Sequence, residues 1–414
     1  MKYLAVLGRQ PEISITELEK LFPGISYSLD GSCLIFSSSK IDDTSRLPID
    51  IERFGGVLKF AAELDRAPLE FLQGLPEGKL TIGVSDYSEK ASKKAAQQEA
   101  LKLKKILVRH GRSVRVVENK AAALSTATSL HNGLSGKNPK KVELIKTNDG
   151  WYRVIGVQDI DAYTRRDQAR PARDAKVGML PPKLAQVLIN LCGPLEPGSR
   201  ILDPFCGTGV VLQEALLMGY QVYGTDINER MVEYSKKNLV WLLKSENIHS
   251  RAASGRPVDR RSSASQGAVA TGGRRSSSPC QAPDSLESNI FQISIGDVTS
   301  FKWGQPIDAV ACEGYLGKPF SRVPTEMELK EQEQECSGIV LGFLDNLAGQ
   351  IEKDTPVVIA IPAWLREDGE YERLDILDDV ANLGYNVDNK SREGLLYHRE
   401  GQVVARDIII LRKK

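Results

Sequence analysis

The chain has no apolar run near the roughly 18–20 residues that a membrane-crossing helix requires. Histidine is scarce: four residues, His110, His131, His249 and His398, stand far apart. The six cysteines (Cys33, Cys192, Cys206, Cys280, Cys312 and Cys336) form no Cys-x-x-Cys pair. These absences exclude the usual zinc spacings, so no metal is expected, and they argue against a disulfide framework. The first ten residues carry only a five-residue apolar stretch, too short for a secretory leader, so a cytoplasmic protein is expected. A large charge of one sign is also missing: 55 Lys/Arg against 54 Asp/Glu leave +1, which on totals speaks against a nucleic-acid partner.

What is present is ordinary in bulk and uneven in detail. With 41% apolar and 26% charged residues the composition is that of a globular protein, and 414 residues suggest two or three domains. The neutral total conceals a division. Residues 1–174 hold 28 Lys/Arg against 22 Asp/Glu, and residues 175–414 hold 27 against 32. Within 90–146 there are 14 basic and 3 acidic residues, a strongly basic stripe.

Residues 1–50 read as a small α/β unit: a strand over Lys2–Leu7, a helix capped by Ser14 or Thr16 and stopped at Pro23-Gly24, and a strand over Ser32–Ser37. Residues 51–160 read as a second one. It has a strand at Leu80–Val84, a long helix over Ser88–His110, and a hairpin whose turn is Asn148-Asp149-Gly150. An Arg-, Asp- and Pro-rich connector spans 161–182. From 183 to 414 short apolar strands alternate with helices at 210–218, 229–243, 326–351 and 372–383, and a terminal antiparallel hairpin follows. Residues 245–289, rich in Ser, Arg and Gly without periodicity, read as a disordered insertion, either a solvated loop or an arm that touches RNA.

The chemistry concentrates at strand ends. Asp203-Pro204-Phe205-Cys206-Gly207-Thr208-Gly209 joins a strand to a helix, and its glycines let a ligand approach the backbone at a helix N-terminus. Asp226 ends the next strand, where a carboxylate accepts hydrogen bonds from ribose hydroxyls. Gly296-Asp297 ends the third, where a carboxylate can meet an adenine amine. Asp308 through Gly317 ends the fourth. The Gly-x-Gly-x-x-Gly of dehydrogenases is absent. Cys206 and Cys312 have no base nearby in sequence and read as packing residues.

The 203–209 heptapeptide resembles motif I of class I S-adenosylmethionine-dependent methyltransferases, in the form carried by enzymes that methylate exocyclic amines. Several further stretches resemble the THUMP-domain tRNA guanosine methyltransferases: Val157-Gln158-Asp159, Arg165-Arg166-Asp167, Arg170-Pro171, Arg173-Asp174 and Gly178 through Gln186, with Leu7-Gly8-Arg9-Gln10-Pro11-Glu12 at the start. The resemblance implies an α/β fold: a Rossmann-like domain at 183–414, an N-terminal ferredoxin-like domain at 1–50, a THUMP domain at 51–160 and a linker at 161–182. It also implies S-adenosylmethionine as cofactor, tRNA as partner with a small activating subunit in some relatives, and methylation of a guanosine amine, typically at position 10. Asp203, Gly207 and Gly209 would line the methionine and ribose, Asp226 the ribose hydroxyls and Asp297 the adenine. Lys102, Lys104, Lys105, Arg109, Arg112, Lys137, Lys140 and Lys141 would hold tRNA phosphates.

The chain departs from the family at the catalytic motif. Asn or Asp, two prolines and an aromatic are usual; here the residues are Glu313-Gly314-Tyr315-Leu316. Glu313 takes the acceptor position and Tyr315 the stacking position, and the missing prolines imply a less rigid loop. Two other readings stay open: a methyltransferase on another nucleic-acid amine such as adenine, and a catalytically silent tRNA-binding protein.

Overall fold

The computed structural model describes residues 1–37, 50–174, 180–245 and 290–414, so the insertion expected at 245–289 lies outside the described residues apart from Ser245. The chain divides into two compact units, Met1–Arg166 and Asp167–Lys414.

In the first unit the elements are β1 (Tyr3–Leu7), α1 (Pro11–Leu21), β2 (Ser26–Asp30), β3 (Cys33–Ser37), β4 (Val57–Glu63), α2 (Pro68–Gln73) and β5 (Leu80–Asp86). They continue as α3 (Lys93–Arg109), β6 (Val114–Val116), α4 (Thr126–His131), β7 (Lys141–Lys146), β8 (Trp151–Val157) and α5 (Ile160–Gln168), whose last turn crosses the division. The eight strands form one sheet in the order β2-β3-β1-β4-β8-β7-β5-β6. The stretches 1–50 and 51–160 therefore share backbone hydrogen bonds, through β1 on β4. The hairpin at Asn148-Asp149-Gly150 joins β7 to β8 as expected, closed by Thr147 N–H on the Gly150 carbonyl at 2.9 Å.

Helix α1 starts earlier than its sequence suggests. Pro11 occupies its first turn, where a missing N–H costs nothing. Ser14 and Thr16 are not caps: their hydroxyls donate to the Gly56 carbonyl at 2.7 Å and the Glu12 carbonyl at 2.7 Å. Ser92, not Ser88, caps α3, accepting from Ala95 N–H at 3.1 Å.

Lys59 on β4 is 1% exposed and fully coordinated. Its ammonium donates to Glu143 Oε1 at 2.6 Å, the Leu124 carbonyl at 2.8 Å and Ser129 Oγ at 2.9 Å. Ser85 donates to the same Glu143 oxygen at 2.6 Å and accepts from Leu124 N–H at 2.9 Å. This network ties the segment before α4 to three strands of the sheet.

The second unit holds α6 (Pro182–Leu191), β9 (Arg200–Asp203), α7 (Val210–Leu217), β10 (Gln221–Asp226), α8 (Glu229–Ser245), β11 (Phe291–Ile295), β12 (Ala309–Glu313) and α9 (Glu326–Ala348). Then come β13 (Pro356–Leu365), β14 (Tyr371–Arg373), α10 (Leu377–Asn382), β15 (Tyr385–Val387), α11 (Asn389–Glu393), β16 (Leu396–Tyr397) and β17 (Val404–Lys413). The sheet order is β11-β10-β9-β12-β13-β17-β15. Strands β9 to β13 pair in parallel, and β17 runs antiparallel to β13. The order reverses between β9 and β12, the doubly wound Rossmann-like arrangement expected, and a ligand crevice belongs at the carboxyl ends of those strands.

One boundary moved. The helix expected at 372–383 is only Leu377–Asn382, because Tyr371–Arg373 pairs as a strand with Ala363–Leu365. β13 continues to Leu365, so Trp364 lies within the strand and is fully buried in the core between sheet and α9. The five described cysteines are all buried, as their scattered spacing suggested. Among the described residues no helix is long and apolar enough to cross a membrane, and no cluster of three or more His, Cys, Asp or Glu is placed to hold a metal.

Lys59→Met is expected to destabilise the protein by about 3–5 kcal/mol in urea unfolding, because Glu143 is left buried and unpaired. Lys59→Met with Glu143→Leu should recover most of the loss.

Candidate active site

A cavity of about 1150 Å³ opens at the carboxyl ends of the parallel strands of the second unit. Asp203, Asp226, Asp297 and Glu313 all line it, with Gly207, Tyr315, Ile227, Val298 and Arg406. The sequence-predicted residues of this unit are thus brought together, except Gly209, which supports the wall from behind. Gly209 has φ +81°, and a Cβ there would stand 2.7 Å from Ser235 Oγ, so the strand-to-helix turn demands glycine. Gly296 is required for space alone: a Cβ would meet the Phe301 ring at 2.2 Å.

Each carboxylate is held differently. Among the described residues Asp203 accepts only Phe205 N–H, at 3.2 Å, and burial, together with the charges of Asp226 and Glu313, pushes its pKa well above the carboxylate range. Asp226 accepts Gly207 N–H and Asn228 N–H, both at 2.9 Å, so it clamps the glycine turn to the end of β10. Burial raises its pKa and these bonds oppose the rise. Asp297 is exposed; its Oδ1 accepts from Thr299 N–H at 2.9 Å and Thr299 Oγ at 2.8 Å, which lower its pKa. Glu313 is ion-paired with Arg406 Nε; burial raises its pKa while Arg406 pulls it down.

Tyr315 extends its hydroxyl to Glu335 Oε1 on α9 at 3.1 Å, and burial with this bond raises its pKa to about 12. The loop after Glu313, which lacks the motif's paired prolines, is nevertheless tethered. Gly314 N–H donates to the Ala360 carbonyl at 2.9 Å, Lys318 N–H donates to Gln332 Oε1 at 2.6 Å, and Thr325 with Glu328 closes a capping box at the start of α9.

The connector arginines divide. Arg166 is buried with its guanidinium 4.6 Å from the Tyr163 ring centre, and Arg170 is buried near Asp167 at 3.7 Å. Arg165 and Arg173 are exposed, and Asp174 pairs with Arg230. Asn238 on α8 accepts from Ala172 N–H at 3.0 Å and donates to the Ala172 and Thr208 carbonyls, both at 2.9 Å, stitching the connector to the motif turn. Nothing in the local sequence marked Asn238 or Arg406. Ile227 carried a signal that was passed over: an apolar residue directly after a strand-end acid. It is 72% exposed in the cavity wall.

Of the eight basic residues singled out in the sequence, five meet at one end of the first unit's sheet. β5 runs parallel to β6 and β7, so their starts share an edge, and α3 returns to it. Arg109, Arg112, Lys137, Lys140 and Lys141 therefore gather there, while Lys102, Lys104 and Lys105 sit further back along α3. Arg112 donates to the Leu72 carbonyl at 3.0 Å and to that of Pro76, so it fastens the segment after α2. Lys137 stands 3.7 Å from Glu52. Arg109, Lys105, Lys140 and Lys141 are exposed.

Residues 170–272 match the UPF0020 family, an RMKL-like methyltransferase domain. Residues 170–272 are thus similar to a methyltransferase domain. The tRNA (guanine(10)-N2)-dimethyltransferase of Methanothermobacter thermautotrophicus is 52% identical over 75 residues, 18% of this chain and 22% of that protein. That of Pyrococcus abyssi is 29% identical over 251 residues, 58% of this chain and 67% of that protein. The type II methyltransferase M.MwoI of Methanothermobacter wolfeii is 35% identical over 91 residues, 21% of this chain and 14% of that protein. The chain thus spans about a fifth of the first relative and two thirds of the second.

The methyltransferase domain fits S-adenosylmethionine on its own geometry. Five carboxylates, Asp174, Asp203, Asp226, Asp297 and Glu313, line one cavity whose cations among the described residues are the buried Arg406 and the exposed Lys318, a balance that favours a cationic ligand. Asp226 would hold the ribose hydroxyls, and Ile227 with Val298 would flank the adenine.

Asp226→Ala is expected to raise the calorimetric Kd for S-adenosylmethionine by about tenfold or more, through loss of charge-assisted hydrogen bonds and of the clamp on Gly207. An unchanged Kd would remove Asp226 from the cofactor site.

Proposed function

We propose that this chain transfers a methyl group from S-adenosylmethionine to the exocyclic amine of a guanosine in tRNA, at position 10. The observation that carries the reading is the single cavity that joins the strand-end acids Asp203, Asp226 and Asp297 to Glu313 and Tyr315. The names of the relatives supply the substrate.

The bound cofactor supplies an electrophilic methyl group. The protein's part is then to place the amine and favour its lone pair. That lone pair is delocalised into the ring, so a carboxylate that accepts an amine N–H makes the nitrogen more nucleophilic. Glu313 is the acceptor, buried at the end of β12 where water competes poorly. Tyr315 lines the same space, and its hydroxyl is anchored to α9, which leaves a ring held in place for the flipped base to pack against. Positioning carries most of the rate, since the methyl donor needs no further activation.

The basic end of the first unit serves the polyanion. Arg109, Lys140 and Lys141 hold phosphates, with Lys137 at the same end and Lys102, Lys104 and Lys105 further back along α3. Arg112 contributes by fixing the segment that follows α2, because its guanidinium is already engaged.

Labelled S-adenosylmethionine incubated with unmodified tRNA, followed by nucleoside digestion, should yield N2-methylated guanosine. Label in adenosine would shift the reading to a different amine, and tRNA binding without cofactor binding would sink it. Glu313→Ala should lower kcat by about 100-fold or more with tRNA affinity within a few-fold; equal turnover would exclude Glu313 as acceptor. Lys140→Ala and Lys141→Ala should each reduce the slope of log affinity against log salt by about 1, across all tRNA sequences.

A further inference from the structure

Arg406 has no role in the reaction as described, yet among the described residues it is the one buried cation in the wall of the cavity. It reaches Glu313 from two strands away. Glu313 on β12 pairs with Ala360 on β13, and Arg406 on β17 pairs with Pro362 on β13. Directly opposed residues share a face, so Glu313, Ala360, Pro362 and Arg406 project to the same side of the sheet. The small side chains of Ala360 and Pro362 leave the path between the two ions open. Arg406 spends only its Nε on Glu313 Oε1. Both of its Nη groups, and Glu313 Oε2, have no partner among the described residues, and none of these atoms is sealed from the cavity.

We propose that Arg406 is a positioning residue: it holds Glu313 ionised with Oε1 engaged, and its Nη groups together with Glu313 Oε2 form a donor–acceptor pair for the target base. Oε2 accepts from the exocyclic amine, and Nη donates to a ring acceptor beside that amine. This rests on the methyl-transfer reading of the cavity. Guanine satisfies both groups from one edge, because its amine is flanked by a ring nitrogen acceptor.

The groups around Glu313 leave Arg406 as the decisive cation. Asp203 on β9 is a carboxyl group on the same side of the sheet, and burial raises its pKa well above the carboxylate range. Cys312 on β12 is buried with its thiol held protonated. Helix α6, packed on β12 and β13, has Lys183 as its only charged side chain, and burial alone lowers the pKa of that lysine. Lys318 on the following loop is exposed, and Tyr315 faces Glu335. With Arg406 removed, burial acts unopposed on the Glu313 carboxylate, so its pKa must rise.

The test uses the full chain with Arg406→Met, Arg406→Lys and Glu313→Gln. Infrared difference spectra against Glu313→Gln follow the Glu313 carboxylate as pH is varied. Arg406→Met should raise its midpoint by about one unit or more, and Arg406→Lys should keep most of the wild-type value. The acid limb of the kcat profile on tRNA should move upward with it, lowering kcat at pH 6 by about tenfold or more, while tRNA KM stays within about threefold. If Arg406→Met does not fold, Arg406→Gln, which keeps a neutral donor, should show the same upward movement. An unmoved midpoint overturns the proposal. So does a fall in kcat that is equal at every pH and not rescued by Arg406→Lys, the pattern of a merely structural residue. A wild type that methylates no tRNA removes the functional reading and with it the base-recognition half of the proposal; the infrared midpoint still decides whether Arg406 holds Glu313 ionised.

Discussion

Gathering three carboxylates in one partly dry space is the constraint around which the second unit is arranged. Parallel strands that end along one edge bring Asp203, Asp226 and Glu313 together, and desolvation penalises the charge on each. The surroundings compensate locally. Asp226 receives two backbone N–H groups, one of them from the glycine turn, so ligand binding and turn geometry depend on the same side chain. Glu313 receives an arginine. Asp203 receives a single N–H and is the least compensated of the three, which suits a site whose ligand brings positive charge.

The first unit handles buried charge in the opposite way. Lys59 and Glu143 are shut away with nearly every polar group satisfied, and the pair serves to lock strands to the segment around Leu124. The unpaired positive charge is left on the surface, at the edge where β5, β6 and β7 begin. A basic stripe in the sequence therefore becomes an end of a sheet rather than a helix face alone. Even there the residues are not equivalent: Arg112 is consumed by backbone carbonyls, whereas Lys140 and Lys141 remain free to meet a polyanion.

Much of the second unit was legible because its candidate site residues sit at strand ends, and strand ends have local signatures. The glycine turn, Asp226, Gly296-Asp297 and Glu313 each follow a short apolar run and precede a turn, and all of them reach the same cavity. The errors also have local causes. β4 was passed over because its pattern, Val57-Leu58-Lys59-Phe60, places a lysine where a core residue belongs, and only a buried partner makes that lysine acceptable. Tyr371–Arg373 has the polar character of a helix start, but β13 extends far enough to pair with it. The lost prolines after Glu313 suggested a loose loop, and the tethers that hold it come from α9 and β13, more than ten residues further on.

The order of residues alone determined the turn chemistry, the alternation of strand and helix, and the list of acids that end the strands, since each depends on neighbours within a few positions. The tertiary structure decided which charges meet. Arg406 lies 93 residues from Glu313 and is brought to it by the antiparallel insertion of β17 beside β13, a pairing set by packing of the whole sheet. No spacing rule predicts such a contact, because strand order is a property of the assembled core and not of the segments that compose it.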